Sequence, residues 1–402
     1  MNAQKWKQIN SIVDSALKLD HEERMVYVNK KCRDNHELKS HVTELLESIE
    51  ESESVGFLEG PTDYPEHLAA DIAKSQEEES DEVSLVGETI GRYKVIELIG
   101  HGGMGSVFRA RRTDGSFKNE VALKVMRRGM DTPSNKARFR QERNILANLN
   151  HPNVARLYDG GITEQGLPYL VMEYVNGIHL YEYCNKHHLS VNERLKLYKQ
   201  VCKAVEHAHQ NAVIHRDLKP SNIMVTADSS MVKVLDFGIA KLLEPDQFNT
   251  TIYQTRTGTR PVTLGYAAPE QLELMPTTTA TDIYALGVIL YELLSGLKPF
   301  LLDEKSLTEI EKTIRRTVPQ KPSAQISSLS KDKKQDIVSN FGTNGSGNGK
   351  DLAKVLKGDL DAIVMKAMRK KPEDRYISAV NLLADLERRD QILPLVARSD
   401  TF

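Results

Sequence analysis

His215-Arg216-Asp217-Leu218-Lys219-Pro220-Ser221-Asn222 is the stretch on which the reading of this chain turns, and Asp236-Phe237-Gly238 follows it a short way on. An aspartate, a lysine and an asparagine at this spacing can set a base, a phosphate-directed cation and a neutral oxygen donor around one phosphoryl group. Ile223-Met224-Val225 and Met231-Val232-Lys233-Val234-Leu235 read as two apolar strands joined through Ala227-Asp228-Ser229-Ser230, a hairpin. The hairpin returns Asp236 beside Asn222. Two oxygen ligands for a hard cation, 14 residues apart in sequence, then share one site.

Around this stretch the chain has an ordinary globular balance. Its 402 residues are 40% hydrophobic and 27% charged, enough for two or three cores. A formal net charge of -2 supplies no basic field to neutralise a phosphate backbone, which argues against nucleic acid as a partner. Cys32, Cys184 and Cys202 are odd in number and far apart, so they fit small core residues in a reducing compartment. The opening MNAQKWKQIN lacks the apolar core of a signal peptide, and the longest apolar stretch, Tyr284 to Tyr291, is far short of the roughly 20 residues that span a bilayer. The expectation is a soluble, cytoplasmic chain with no membrane span, and a longer, membrane-tethered native form is compatible with it.

Composition divides the chain. Residues 1–58 read as a small helical unit, with Trp6, Ile9, Ile12 and Leu17 at helical spacing and capping boxes at Asp20/Glu23 and Asp34/Glu37. Residues 59–90 carry Pro61, Pro65 and the acidic run Glu77-Glu78-Glu79-Ser80-Asp81-Glu82, the composition of a solvated linker. From Tyr93 short strands dominate, and from about Ser190 long helices, so a β-rich lobe over 91–175 precedes a helical one over 176–390, with a tail at 391–402. Residues 322–350, rich in Ser, Lys, Asn and Gly, predict a flexible insertion in the helical lobe.

Gly100-His101-Gly102-Gly103-Met104-Gly105-Ser106-Val107, with Ile99 just ahead of it, matches G-x-G-x-x-G-x-V, whose glycines let backbone amides approach phosphate oxygens. A dinucleotide fold would open a helix at the last glycine, whereas Ser106 to Arg111 reads as strand and leads to a second strand, Glu120 to Met126. A glycine-rich hairpin over a nucleotide fits better. Lys124 follows in Val121-Ala122-Leu123-Lys124. Glu142 is the one glutamate between Val125 and Arg156, and it shares a helical stripe with Phe139, Leu146 and Leu149, so it faces inward and wants a cation.

Taken together, these motifs resemble a protein kinase, specifically the bacterial serine/threonine kinases of eukaryotic type. The resemblance implies an α+β, two-lobed protein kinase fold preceded by the small helical unit. It implies that Asp217 accepts the proton of the substrate hydroxyl, that Lys219 neutralises the transferring phosphate, and that Lys124, paired with Glu142, holds the α- and β-phosphates of ATP. Asn222 and Asp236 would bind Mg2+, with Mn2+ as the alternative. Adenine would lie against the backbone at Glu173 and Val175, between Val107 and Ala122 above and Met224 below, with Met172 guarding the pocket behind.

Structural roles follow from the same likeness. His215 and Phe237 would join Leu146 and Leu157 in an apolar column between the lobes. Glu270, in Ala268-Pro269-Glu270, would pair with Arg375, and Asp282 would hold the catalytic-loop backbone. Thr250, Thr251, Thr255, Thr257 and Thr259 are the candidates for activating autophosphorylation, because Arg216 before the catalytic aspartate offers a phosphate of charge about -2 a partner. Thr263 and Lys219 favour serine/threonine acceptors. Val262, where many relatives have glycine, and the long stretch before it depart from the pattern and bear on the peptide-binding surface. Protein substrates are the implied partners, with a second copy of the chain engaged in trans-autophosphorylation. A pseudokinase scaffold recruiting partners through the N-terminal helices is the competing reading, opposed by retention of Lys124, Glu142, Asp217, Asn222 and Asp236. A small-molecule phosphotransferase would lack the Ala-Pro-Glu closure.

Overall fold

The computed structural model describes residues 27–28, 30–32, 38–39, 42–43, 85–102, 105–114, 120–126, 143, 146–147, 149–237, 264–302, 305–342 and 349–399. The chain forms two compact units, residues 1–75 and 76–402. In the first, the described residues are helical, and Val28 with Cys32, and Leu38 with Val42, are buried pairs each four residues apart, the spacing of one helix face. The capping boxes at Asp20 and Asp34 lie outside the described residues.

The second unit opens with a six-stranded antiparallel sheet. Its strands are β1 (Thr89–Ile90), β2 (Tyr93–Gly102), β3 (Gly105–Arg112), β4 (Glu120–Met126), β5 (Leu157–Ile162) and β6 (Pro168–Glu173), in the order β1-β2-β3-β4-β6-β5. Register assigns its faces, because directly opposed residues share a side and successive ones alternate. Phe108 opposite Leu123, and Leu123 opposite Val171, fall on the face that buries a core with Tyr93, Val95 and Ala110. Gly100 opposite Val107, Val107 opposite Lys124 and Ala122 opposite Met172 fall on the other. The hairpin between β2 and β3 demands glycine at Gly105, where φ is 135° and a Cβ would lie 2.1 Å from the Val125 carbonyl oxygen.

A three-stranded sheet, β7 (Gly177–His179), β8 (Ile223–Thr226) and β9 (Val232–Val234), begins the helical lobe. Two helices precede β8: α1 (Leu180–Lys186) and α2 (Val191–Gln210), the latter started by a capping box between Ser190 and Glu193. After α3 (Pro269–Leu272), α4 (Thr279–Ser295) forms the buried axis of the lobe. Then come α5 (Leu307–Arg316), α6 (Pro322–Ser328), α7 (Lys331–Ser339), α8 (Gly349–Leu356), α9 (Asp359–Ala367), α10 (Ala379–Asp390) and α11 (Val396–Ser399). Gly287 lets α9 approach α4, since a Cβ there would meet Ala367 and Met368 at 2.8 Å.

The flexible insertion expected over 322–350 is instead largely helical, as α6, α7 and the start of α8, and the residues between 342 and 349 lie outside the described ones. Few apolar residues do the anchoring. Pro322 stands in the first turn of α6, Ile326 is fully buried, and Phe341 packs under the Arg194 guanidinium at 3.7 Å. Arg194, itself buried on α2, donates to the Asn340 and Leu293 carbonyls. The partner that orders the segment lies almost 150 residues earlier in sequence, out of reach of local composition.

Candidate active site

The site lies where β4, the loop before β8 and the end of the β8–β9 hairpin meet. The hairpin forms in the expected register, Ile223 opposite Val234 and Met224 opposite Lys233, and the Leu235 amide donates to the Asn222 carbonyl at 2.8 Å. Asp236 is therefore carried next to Asn222. Its φ of 50° is left-handed, and its Oδ2 lies 2.8 Å from the Lys124 ammonium. Lys124 thus bridges from β4 to the hairpin. Its expected partner, Glu142, lies outside the described residues, as do Gly103, Met104, Thr263 and the threonines at 250, 251, 255, 257 and 259.

Asp217 is ordered from three sides. Lys219 Nζ stands 2.8 Å from its Oδ2, the Asn222 amide nitrogen donates to its carbonyl at 2.9 Å, and its own amide points to His215 Nδ1 at 3.4 Å. Because the Asn222 Nδ2 is spent on that carbonyl, its Oδ1 is the atom left to face a cation.

His215 is fully buried, and burial pushes its pKa below the usual histidine value. The neutral ring donates from Nε2 to the Leu235 carbonyl at 2.9 Å, which leaves Nδ1 as the acceptor for Asp217 N. Both nitrogens serve the loop, and no base role is left. The ring centroid of Phe237 lies 4.7 Å away, and Leu146 and Leu157 belong to the same core.

Three supporting residues carried no sequence signal beyond membership of a helix or strand. Asp282 accepts from His215 N at 2.8 Å and Arg216 N at 2.9 Å, as expected, and His209 joins it at 2.8 Å. Gln271 donates to the Arg216 carbonyl at 2.9 Å. Lys233, on β9, reaches both carboxylate oxygens of Glu173, at 2.8 and 2.9 Å, while Glu173 Oε2 accepts from Arg156 N at 3.2 Å. Glu173 is therefore held through its side chain, and its backbone stands at the end of β6 beside buried Val175. On the sheet above, Val107, Ala122 and Lys124 share one face with Gly100, and Met224 is half-buried on β8 below. Ile99 is exposed, and His101 Nδ1 pairs with Ser106 Oγ at 3.0 Å.

Glu270 and Arg375 meet in two 2.7 Å contacts, both side chains buried, with Thr281 donating to Glu270 at 3.0 Å. Burial alone would raise the Glu270 pKa, but the hydrogen bonds and charge of Arg375 outweigh it and hold the carboxyl below its usual value.

Among the described residues no three His, Cys, Asp or Glu side chains group as a metal site. The oxygens of Asn222 and Asp236 suit a hard cation that takes its remaining ligands from phosphate and water.

The protein kinase domain family matches residues 93–384. The chain belongs to the protein kinase family. Members of the family use ATP and divalent metal ions. Similar proteins include the serine/threonine-protein kinase PknB of Mycobacterium tuberculosis, 36% identical over 302 residues, a match covering 74% of this chain and 42% of that protein. Others are pkn3 of Myxococcus xanthus, 35% identical and covering 77% and 52%, and PrkC of Bacillus subtilis, 35% identical and covering 75% and 41%. The chain spans about half or less of these relatives' length. The crystal structure of the Mycobacterium tuberculosis PknI kinase domain shares the fold, with a TM-score of 0.52 at 23% identity, covering 76% of this chain and 98% of that one. Among the described residues no helix is long and apolar enough to cross a membrane.

Proposed function

We propose that this kinase-family chain transfers the γ-phosphoryl group of ATP to serine and threonine hydroxyls of proteins, its own activation segment included. The observation that carries the reading is the convergence of Lys124, Asp217, Lys219, Asn222 and Asp236 on one site through two short ion pairs. Asp217 takes the proton of the incoming hydroxyl, and the Lys219 ammonium beside it offsets charge at the acceptor. Lys124 positions the nucleotide phosphates. Asn222 and Asp236 would hold Mg2+, or Mn2+ in its place, and the bound ion neutralises charge on the phosphates. Glu173 and Val175 offer backbone groups to the adenine.

The acceptors on the chain itself are Thr250, Thr251, Thr255, Thr257 and Thr259, modified in trans within a transient pair of copies. Arg216 is the partner such a phosphate would find. Phosphate transfer from Mg-ATP, followed by phosphosite mapping, tests the reading against Asp217→Asn. Incorporation by wild type should fall roughly 100-fold or more in the variant, the size of a lost general base. Equal incorporation by both would overturn the role of Asp217, and none in either would favour a scaffold.

A further inference from the structure

On the sheet face that carries Val107 and Lys124, directly opposed residues form a row across four strands: Glu97 on β2, Arg109 on β3, Ala122 on β4 and Met172 on β6. Ala122 is the part of this row read as the roof over adenine. Met172 stands two residues before Tyr174, and Tyr174 lies between Glu173 and Val175, the two residues read as offering backbone groups to the ring.

Arg109 links the two ends of that arrangement. Its guanidinium meets Glu97 at 2.8 Å and Glu120, at the start of β4, at 3.3 Å, and it lies 5.7 Å from the centre of the Tyr174 ring. One side chain therefore ties β2, β3 and β4 to the segment that follows β6. Glu120 also takes Arg111 at 3.1 Å, so two acids face two guanidinium groups and the cluster is neutral in itself. The Arg109 side chain is 30% exposed and the Tyr174 ring is half-buried, which places the contact at the rim of the slot. Where roof and rim are already fixed relative to each other, a flat base enters without having to order them, and that cost is removed from its binding free energy.

We propose that Arg109 is a positioning residue for adenine: with Glu97, Glu120 and Tyr174 it straps the strands that carry Ala122 to the segment that carries Glu173 and Val175, and so holds the slot ready for the base. The proposal rests on the reading of this site as one for ATP.

The test compares the Kd for adenosine, by calorimetric titration of the full chain, with kcat and KM for ATP in phosphate transfer. Arg109→Met keeps the aliphatic stem and loses every charged contact, so the adenosine Kd and the ATP KM should rise by one common factor, at least twofold, with kcat at the wild-type value. Tyr174→Leu should do the same. The double variant Arg109→Met/Tyr174→Leu should bind no more weakly than the worse of the two, because both remove one strap. Arg109→Lys, which keeps a cation for Glu97 and Glu120, should recover part of the loss. A residue that served folding alone would lower the Tm and the active fraction and leave the adenosine Kd unmoved. Tyr174 lies outside the strands, so its variant tests the strap even if Arg109→Met folds poorly. A change in adenosine Kd below twofold in the single variants, or losses that multiply in the double variant, would overturn the proposal while ATP binding stands. A wild-type chain that binds neither adenosine nor ATP would overturn the nucleotide reading, and the strap with it.

Discussion

Arg216 has a φ of 64° and Asp236 one of 50°, both left-handed, a conformation that costs a non-glycine residue of order 1–3 kcal/mol. Such backbones persist where neighbours over-determine them. At Arg216 the determinants are the two oxygens of Asp282 on the successive amides of His215 and Arg216, with Gln271 on the carbonyl. Asp282→Asn keeps the shape but turns an NH2 group toward one of those amides. The expected result is a loss of about 1–3 kcal/mol in denaturant unfolding and a lower kcat at little-changed KM for ATP. An unaltered kcat would mean that the loop is held by other contacts. Lys233 invites a second measurement. Lys233→Met leaves the Glu173 carboxylate with Arg156 N alone, so the KM for ATP should rise about three- to fivefold, the size of a partly exposed ion pair, with kcat spared. A fall in kcat at constant KM would instead tie Lys233 to Asp236, two residues past the end of its strand.

At the level of elements, the glycine hairpin and the β8–β9 hairpin were legible because local chemistry dictates them. Glycine is forced at Gly105, and the apolar runs around Ala227-Asp228-Ser229-Ser230 have one economical closure. The Asp282 and Glu270–Arg375 contacts were legible only through family likeness, since a carboxylate on a helix does not announce a partner about 70 or 100 residues away. Lys124 has its described contact with Asp236, and Glu142, its expected partner, lies outside the described residues. The segment of α6 and α7 was misread because its order comes from Ile326, Phe341 and the distant Arg194, while its average composition is polar. Phe341→Ala removes that anchor together with the contact to the guanidinium. It should cost about 3 kcal/mol in equilibrium unfolding, the lower end for a large buried ring. A change below about 0.5 kcal/mol would show that α6 and α7 hold without it.

For the whole molecule, pH acts through buried groups whose shifts oppose one another. Glu270, held low by Arg375, contributes stability present above the unfolded carboxylate pKa and lost as pH falls through its lower folded value. His215 and His151, both depressed mainly by burial, bind fewer protons folded than unfolded, so stability climbs with pH up to about 6.5. Glu292 runs the other way. It is buried on α4 and accepts at 2.7 Å from the hydroxyl of Tyr266, which lies just before Ala268-Pro269-Glu270, and burial raises its pKa from 4.5 to about 8. Between those values the folded state binds the proton that the unfolded state has released, so stability falls as pH rises, by at most about 1.4 kcal/mol per pH unit. Lys370, lowered to about 8 chiefly by burial, adds its own rise only above that pH. From pH 6.5 to 8 Glu292 therefore dominates, and stability should decline across it. Glu292→Gln keeps an acceptor for Tyr266 without the ionisation, so its unfolding free energy should stay level over that interval and its advantage over wild type should grow toward pH 8. Parallel pH profiles for the two proteins, measured by denaturant titration at half-unit steps, would rule Glu292 out as the group responsible.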